Sequence, residues 1–276
     1  MAFSVNTNLG ALQAYNALAK VNAQTEKAQL RLATTKKINS VADDTSGYNV
    51  GKKLESQTLV QKAQLNNISS AKNYLATAES ALQQVNDKLN QIKAKQVDAD
   101  DPLKDSASIA KDIRTLAGEI DSILKNTNIN GTQLLASTDG STALSSATFD
   151  VGGSSFSIDF AGASYLGSAA LATAIGTSNL TSTTDTTVLD YDTTTVGNSV
   201  RSALGRIGNL TQTLDSRQDY LTAAVANNTA TISNIFDADM AAEQLNATKG
   251  QISGQVATAM LSQMNSAPQN ILSLFR

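Results

Sequence analysis

Two adjacent carboxylates, Asp43 and Asp44, and an acidic run, "DADMAAE" at 237–243, are the residues here whose types and spacing could do chemistry. Paired carboxylates can move protons or hold a divalent cation, but both uses need further partners. The 276-residue chain has no His and no Cys. That removes the commonest general base, every His-dependent triad, thiolate metal sites and disulfides. A plainer use is helix electrostatics. Asp43 and Asp44 precede a helix expected to start near Thr45, and Asp237 and Asp239 precede another, where negative charge meets the positive end of the helix dipole. "GKK" at 51–53 lacks the glycine-rich lead-in and the following Ser or Thr of a phosphate loop. The expectation is therefore a non-enzyme with no catalytic residue, no metal and no cofactor.

Composition narrows the classes further. Hydrophobic residues make up 41% of the chain, charged residues 16% and aromatics 4%, with no Trp. A core must then come from Leu, Ile, Val and Ala, which suits close-packed helices. The net charge of −3 argues neither for nucleic acid nor for an anionic membrane. No stretch reaches 18 consecutive apolar residues, so membrane insertion is not expected. The start, "MAFSVNTNLGALQAYNAL", lacks the basic region and long apolar core of a cleavable signal peptide.

The elements that must position all this are helices. Ile68, Leu75, Leu82 and Leu89 lie seven apart, and Ala71, Ala78, Val85 and Ile92 follow each by three. This is a heptad seam. Pro102 stops it, and Ser106 opens a second helix carrying Ile109, Ile113, Leu116, Ile120 and Ile123. "NTNING" at 126–131 ends that helix with an Asn-Gly signal. Val200, Leu204, Ile207, Leu214, Leu221 and Val225 keep the same rhythm in a third, with polar Thr211 and Gln218 at intervening seam positions. The middle differs in kind: residues 126–200 hold no Lys or Arg. Within it "ATFDVGGSSFSIDF" alternates around Gly152-Gly153, which predicts a β-hairpin. The fold class is mainly α: a long antiparallel helical bundle or coiled coil formed by the N- and C-terminal segments, with a small β-hairpin region in the middle.

Further apolar stripes lie at both extremities: Leu9, Leu12 and Leu18 near the start, and Ile252, Val256, Met260 and Met264 near the finish, followed by Ile271, Leu272, Leu274 and Phe275. A three-helix core offers them no surface. Burying the last four is worth about 6–12 kcal/mol at roughly 1.5–3 kcal/mol each. Ordering the tail costs about 1–2 kcal/mol per residue, which nearly cancels that gain. Burial wins where a neighbour already presents an ordered groove. In a helical array each copy supplies that groove to the next, through a contact that does not close on itself and makes fibres.

Five motifs in order, "NTN" at 6–8, "RLATTKKINSVADDTSGYNVGKKL" at 31–54, "NTNINGTQLL" at 126–135, "DADMAAE" and "APQNILSLFR" at 267–276, together resemble bacterial flagellin, a short form lacking large outer domains. The family usually has a Ser-Gly pair where this chain reads "TTKK". The resemblance implies a secreted structural subunit that self-assembles into the flagellar filament used for swimming motility. It implies three parts: a terminal coiled-coil core domain of 1–43 plus 236–276, a rod-like helical domain of 44–137 plus 196–235, and a β-hairpin and variable Ser/Thr-rich surface segment of 138–195. Export without a cleavable signal peptide, an export chaperone, a filament cap and hook-associated proteins are implied partners and route. Thr181, Ser182, Thr183, Thr184, Thr186 and Thr187 become candidates for O-linked sugars. In the stretch that the vertebrate Toll-like receptor recognises, this chain has Gln91 and Lys95 where the recognised form has Arg and Leu, and keeps the acidic partner as Asp112. Weak receptor activation follows. A hook–filament junction protein or another secreted helical adhesin is the alternative, separated from flagellin by nucleated growth of long fibres.

Overall fold

The computed structural model describes residues 8–135, 147–152, 155–158, 189 and 192–274, with side chains described to residue 266. Its helices are α1 (Leu9–Thr34), α2 (Thr45–Ala99), α3 (Ser106–Asn126), α4 (Thr193–Phe236) and α5 (Met240–Leu274). Four short strands form two antiparallel hairpins, β1 (Asn128–Ile129) with β2 (Thr132–Gln133) and β3 (Ala147–Asp150) with β4 (Ser155–Ile158). The chain divides into two compact units, Met1–Thr58 with Ala226–Arg276, and Leu59–Val225.

The second unit holds the main core. Ile68, Ala71, Leu75, Ala78, Leu82, Val85, Leu89 and Ile92 of α2 are all buried, each at 3% exposure or less. From α3 come Ile109, Ile113, Ala117, Ile120 and Leu124. Leu116 and Ile123, which a strict four-three alternation puts on the seam, are half-buried, and Ala117 and Leu124 take the fully buried places. A short helix keeps its 3.6-residue turn, so its stripe drifts from a 3.5-residue repeat within two or three turns. Asp105 caps α3, accepting from the backbone N–H of Ala107 and Ser108 at 3.2 and 3.3 Å. Asp192 does the same for α4 with Thr194 and Thr195.

On α4, Val196, Val200, Ala203, Ile207, Leu214 and Leu221 are buried. Leu204, Leu210, Thr211 and Arg217 are half-buried, Leu204 and Leu210 packing against the core beside the buried Ala203, and Gln218 is exposed. The β3–β4 hairpin covers part of this face. It packs against α2 and α4, with Phe149 edge-on to Tyr74 at 6.0 Å and the Arg217 guanidinium over the Phe156 ring at 5.6 Å. Asn67 Nδ2 donates to the Asp150 carbonyl at 2.9 Å. Gln218 instead accepts from Lys72, which also pairs with Asp215 at 2.5 Å.

The Asn-Gly signal does more than stop α3. Asn130 and Gly131 both have positive φ, 51° and 78°, which makes them the centre of a two-residue turn between β1 and β2. Leu134 and Leu135 follow directly and are fully buried.

Candidate assembly interface: the terminal helix pair

In the first unit, α1 and α5 run antiparallel against each other. Asn8 caps α1 by accepting from the Ala11 N–H at 3.0 Å, and its amide donates to the Met264 carbonyl at 3.0 Å. At the other end Arg31 pairs with Glu243 at 2.8 Å. The facing stripes are thin and made of small residues. Ala28 and Ala247 are buried; Ala11, Ala14, Leu18, Val21 and Thr25 on α1 and Gly250, Gly254, Ala257, Leu261 and Met264 on α5 are half-buried. Between them the backbones come very close: a Cβ added at Gly250 would stand 2.1 Å from Thr25 Oγ1.

The bulkier apolar side chains point elsewhere. Leu9, Leu12, Tyr15 and Leu30 on α1, and Leu245, Ile252, Val256 and Met260 on α5, are each at least half exposed. The terminal apolar residues thus divide into two sets. Leu18 and Met264 belong to the inner seam, whereas Leu9, Leu12, Ile252, Val256 and Met260 form an outer surface. Apolar stripes left exposed on both helices are candidate contact surfaces. Of the last apolar cluster, Ile271, Leu272 and Leu274 lie within the helical span of α5, while their side chains and Phe275 fall outside the described residues.

The carboxylates singled out above are used structurally. Asp43 accepts from Lys27 Nζ at 2.7 Å, from the N–H of Asn39 and Ser40, and from Ser40 Oγ. The Lys27 hydrogen bond, then those two N–H groups, hold its carboxyl well below the usual carboxylate range. Asp44 caps α2 through the Gly47 N–H at 2.9 Å. Asp239 caps α5 through Ala241 and Ala242, and Asp237 accepts from Ser233. Among the described residues no three carboxylates gather into a metal-binding group, and no helix is long and apolar enough to cross a membrane.

Both chain crossings of this unit meet at one joint. Lys37 N–H donates to the Phe236 carbonyl at 2.6 Å, and Ala238 N–H to the Thr35 carbonyl at 3.0 Å. Phe236 is 2% exposed. Its ring covers Gly51 so closely that a Cβ there would lie 2.0 Å from Phe236 Cε2. Tyr48 meets the ring edge-on at 6.3 Å and Lys36 Nζ sits 5.5 Å from its centroid. Gly51 of "GKK" is therefore a packing glycine, and Lys52 pairs with Glu55 at 2.7 Å.

The segments that form these paired helices match known family sequences. The family description "Bacterial flagellin N-terminal helical region" matches residues 5–139, and "Bacterial flagellin C-terminal helical region" matches residues 189–275. The chain belongs to the bacterial flagellin family. It is similar to the flagellin of Bacillus subtilis (30% identical, covering 99% of each chain), to Flagellin FlaB1 of Treponema pallidum (29%, 99% of each) and to the "Flagellar filament 33 kDa core protein" of Treponema phagedenis (29%, 99% of each). These full-length matches make it a structural subunit of the flagellar filament.

Within that family setting the remaining residues fall as follows. Lys95 Nζ pairs with Asp112 Oδ2 at 2.8 Å across α2 and α3, and Gln91 is exposed. Thr181, Ser182, Thr183, Thr184, Thr186 and Thr187 lie outside the described residues. Thr35, in the segment where flagellins usually carry Ser-Gly, adopts a left-handed backbone with φ 59°. Phe236, Gly51 and Thr25 were not legible as partners, because each contact joins residues from distant parts of the chain.

Proposed function

We propose that copies of this chain polymerise through the outer surface of the α1–α5 pair, with segments 1–43 and 236–276 forming the filament core. The observation that supports it is the outward set Leu9, Leu12, Ile252, Val256 and Met260, left bare on helices whose facing sides are already paired. The tail at 267–276 then orders against a neighbour rather than alone, for the entropic reason given above. Residues 44–137 with 196–235 make the rod outside this core, and 138–195 faces outward, with the Ser/Thr tract as its site for O-linked sugars. The chain works without catalytic chemistry. It leaves the cell through the flagellar export route, its α5 surface held by an export chaperone until filament cap and hook-associated proteins guide assembly. Seeded polymerisation tests the core of this. The parent chain grows micrometre fibres from seeds, whereas L12D/I252D stays soluble with normal helical content. A parent that never polymerises, or a double variant that polymerises equally, would refute it.

Receptor activation follows as a weak property. In this chain Lys95 pairs with Asp112, so the retained acidic group is already engaged within the chain. In a cell reporter assay the response is low at doses that saturate a strong flagellin, and K95L/Q91R raises it. A strong response from the parent chain contradicts this reading.

A further inference from the structure

The geometry points to the Thr25–Gly250 contact as the lock that selects the axial register of α1 against α5, and with it the shape of the outward surface. The inference rests on the polymerisation reading only for its consequence. An antiparallel pair with heptad stripes can slide by whole heptads and still keep its stripes facing, a step of about 10 Å along the helices. Small seam residues such as Ala28 and Ala247 oppose such slides only weakly. Something else must choose one register.

Thr25 supplies it. Its hydroxyl donates to the Val21 carbonyl at 2.7 Å, which fixes the side-chain rotamer. With Oγ1 held there, the facing position can carry no Cβ: one built on Gly250 lies 2.1 Å from Oγ1 and 3.1 Å from Thr25 Cβ. Seven residues either side of Gly250 stand Glu243 and Ala257. A heptad slide in either direction would press one of their Cβ atoms onto the Thr25 hydroxyl. The Arg31–Glu243 ion pair, which the same slide would break, independently selects the same register. By contrast, a Cβ on Gly254 would meet Asn22 Oδ1 at an ordinary 3.6 Å, so that seam glycine carries no such constraint.

The register decides where Leu9 and Leu12 stand along the pair relative to Ile252, Val256 and Met260. A neighbouring copy reads those two stripes together. A slid pair presents the same residues in the wrong places.

The native chain has no Cys, so an introduced pair reports register cleanly. Ala28 and Ala247 lie three residues beyond Thr25 and Gly250 along the two helices, and a disulfide between them needs Cα atoms within about 7 Å. In A28C/A247C an intrachain disulfide forms under mild oxidation. Adding G250A abolishes it and cuts seeded polymerisation at least tenfold; adding T25A to that variant restores most of both. G254A loses much less than G250A. Alanine favours helix over glycine, so a purely local role for Gly250 predicts the opposite sign, faster or unchanged assembly. The inference is overturned if G250A keeps the cross-link, if it polymerises like the parent, or if T25A fails to rescue. If the parent chain does not polymerise at all, the polymerisation reading fails while the cross-link still decides the register.

Discussion

Removing the ring of Phe236 unlatches the joint between the two chain crossings of the first unit. The ring is 2% exposed, lies on Gly51, meets Tyr48 at 6.3 Å and carries Lys36 at 5.5 Å. A buried Phe→Ala change costs about 3–5 kcal/mol including its cavity. Gly51 can fill little of that cavity, because it has no side chain to relax into it. At about 1.4 kcal/mol per decade, the opening equilibrium of this joint rises roughly 10²- to 10³-fold or somewhat more. Hydrogen exchange read by peptide reports it: in F236A, segments 34–58 and 226–245 lose protection by that factor, while the α2 seam from Ile68 to Ile92 does not. G51A produces the same pattern through a different atom, since its Cβ would strike Phe236 Cε2 at 2.0 Å. Unchanged protection in both variants, or equal loss across the Ile68–Ile92 seam, would refute the argument that this joint is held by that ring.

Two further expectations follow from the same unit. Thr35 sits at φ 59° and ψ 11° just past the end of α1, where glycine is free of the steric penalty. T35G therefore raises the midpoint of chemical denaturation by about 1 kcal/mol of stability, and a lowered midpoint would contradict the assigned strain. Asp43 has its folded pKa depressed, mainly by Lys27, so its contribution is present above the unfolded value of about 3.9 and is lost as pH falls through the folded one. D43N is less stable than the parent by roughly 1 kcal/mol at pH 6, and the gap narrows progressively as pH falls below about 4; a gap of the same size at pH 6 and at pH 2 would contradict the linkage.

How much was legible in the sequence follows from which constraints are local. The α2 seam could be read because eight apolar residues repeat without a miss over Ile68–Ile92, and the starts of α2 and α3 could be read because Asp43-Asp44 before Thr45 and Pro102 before Ser106 are local signals. The alternate seam places of α4 could not. Arg217 is half-buried against Phe156 of the hairpin, and no helical period encodes that pairing. The β1–β2 hairpin was hidden for a similar reason: Asn130-Gly131 announces a turn, but its flanking strands are two residues long and carry no alternation to read. At the termini, apolar stripes were visible, yet their division into an inner seam and an outer surface depends on register. In that register Thr25 meets Gly250, more than two hundred residues away in sequence, and no local pattern encodes the contact.

On the proposed mode of polymerisation, α1 and α5 complete their burial only against other copies of the chain. The most direct measurement is hydrogen exchange of segments 9–34 and 240–274 in free chains and in seeded polymer at the same pH and temperature. Both segments should exchange far more slowly in the polymer, with the Ile68–Ile92 seam equally protected in the two states. Equal protection of the terminal segments in free chain and polymer would contradict it.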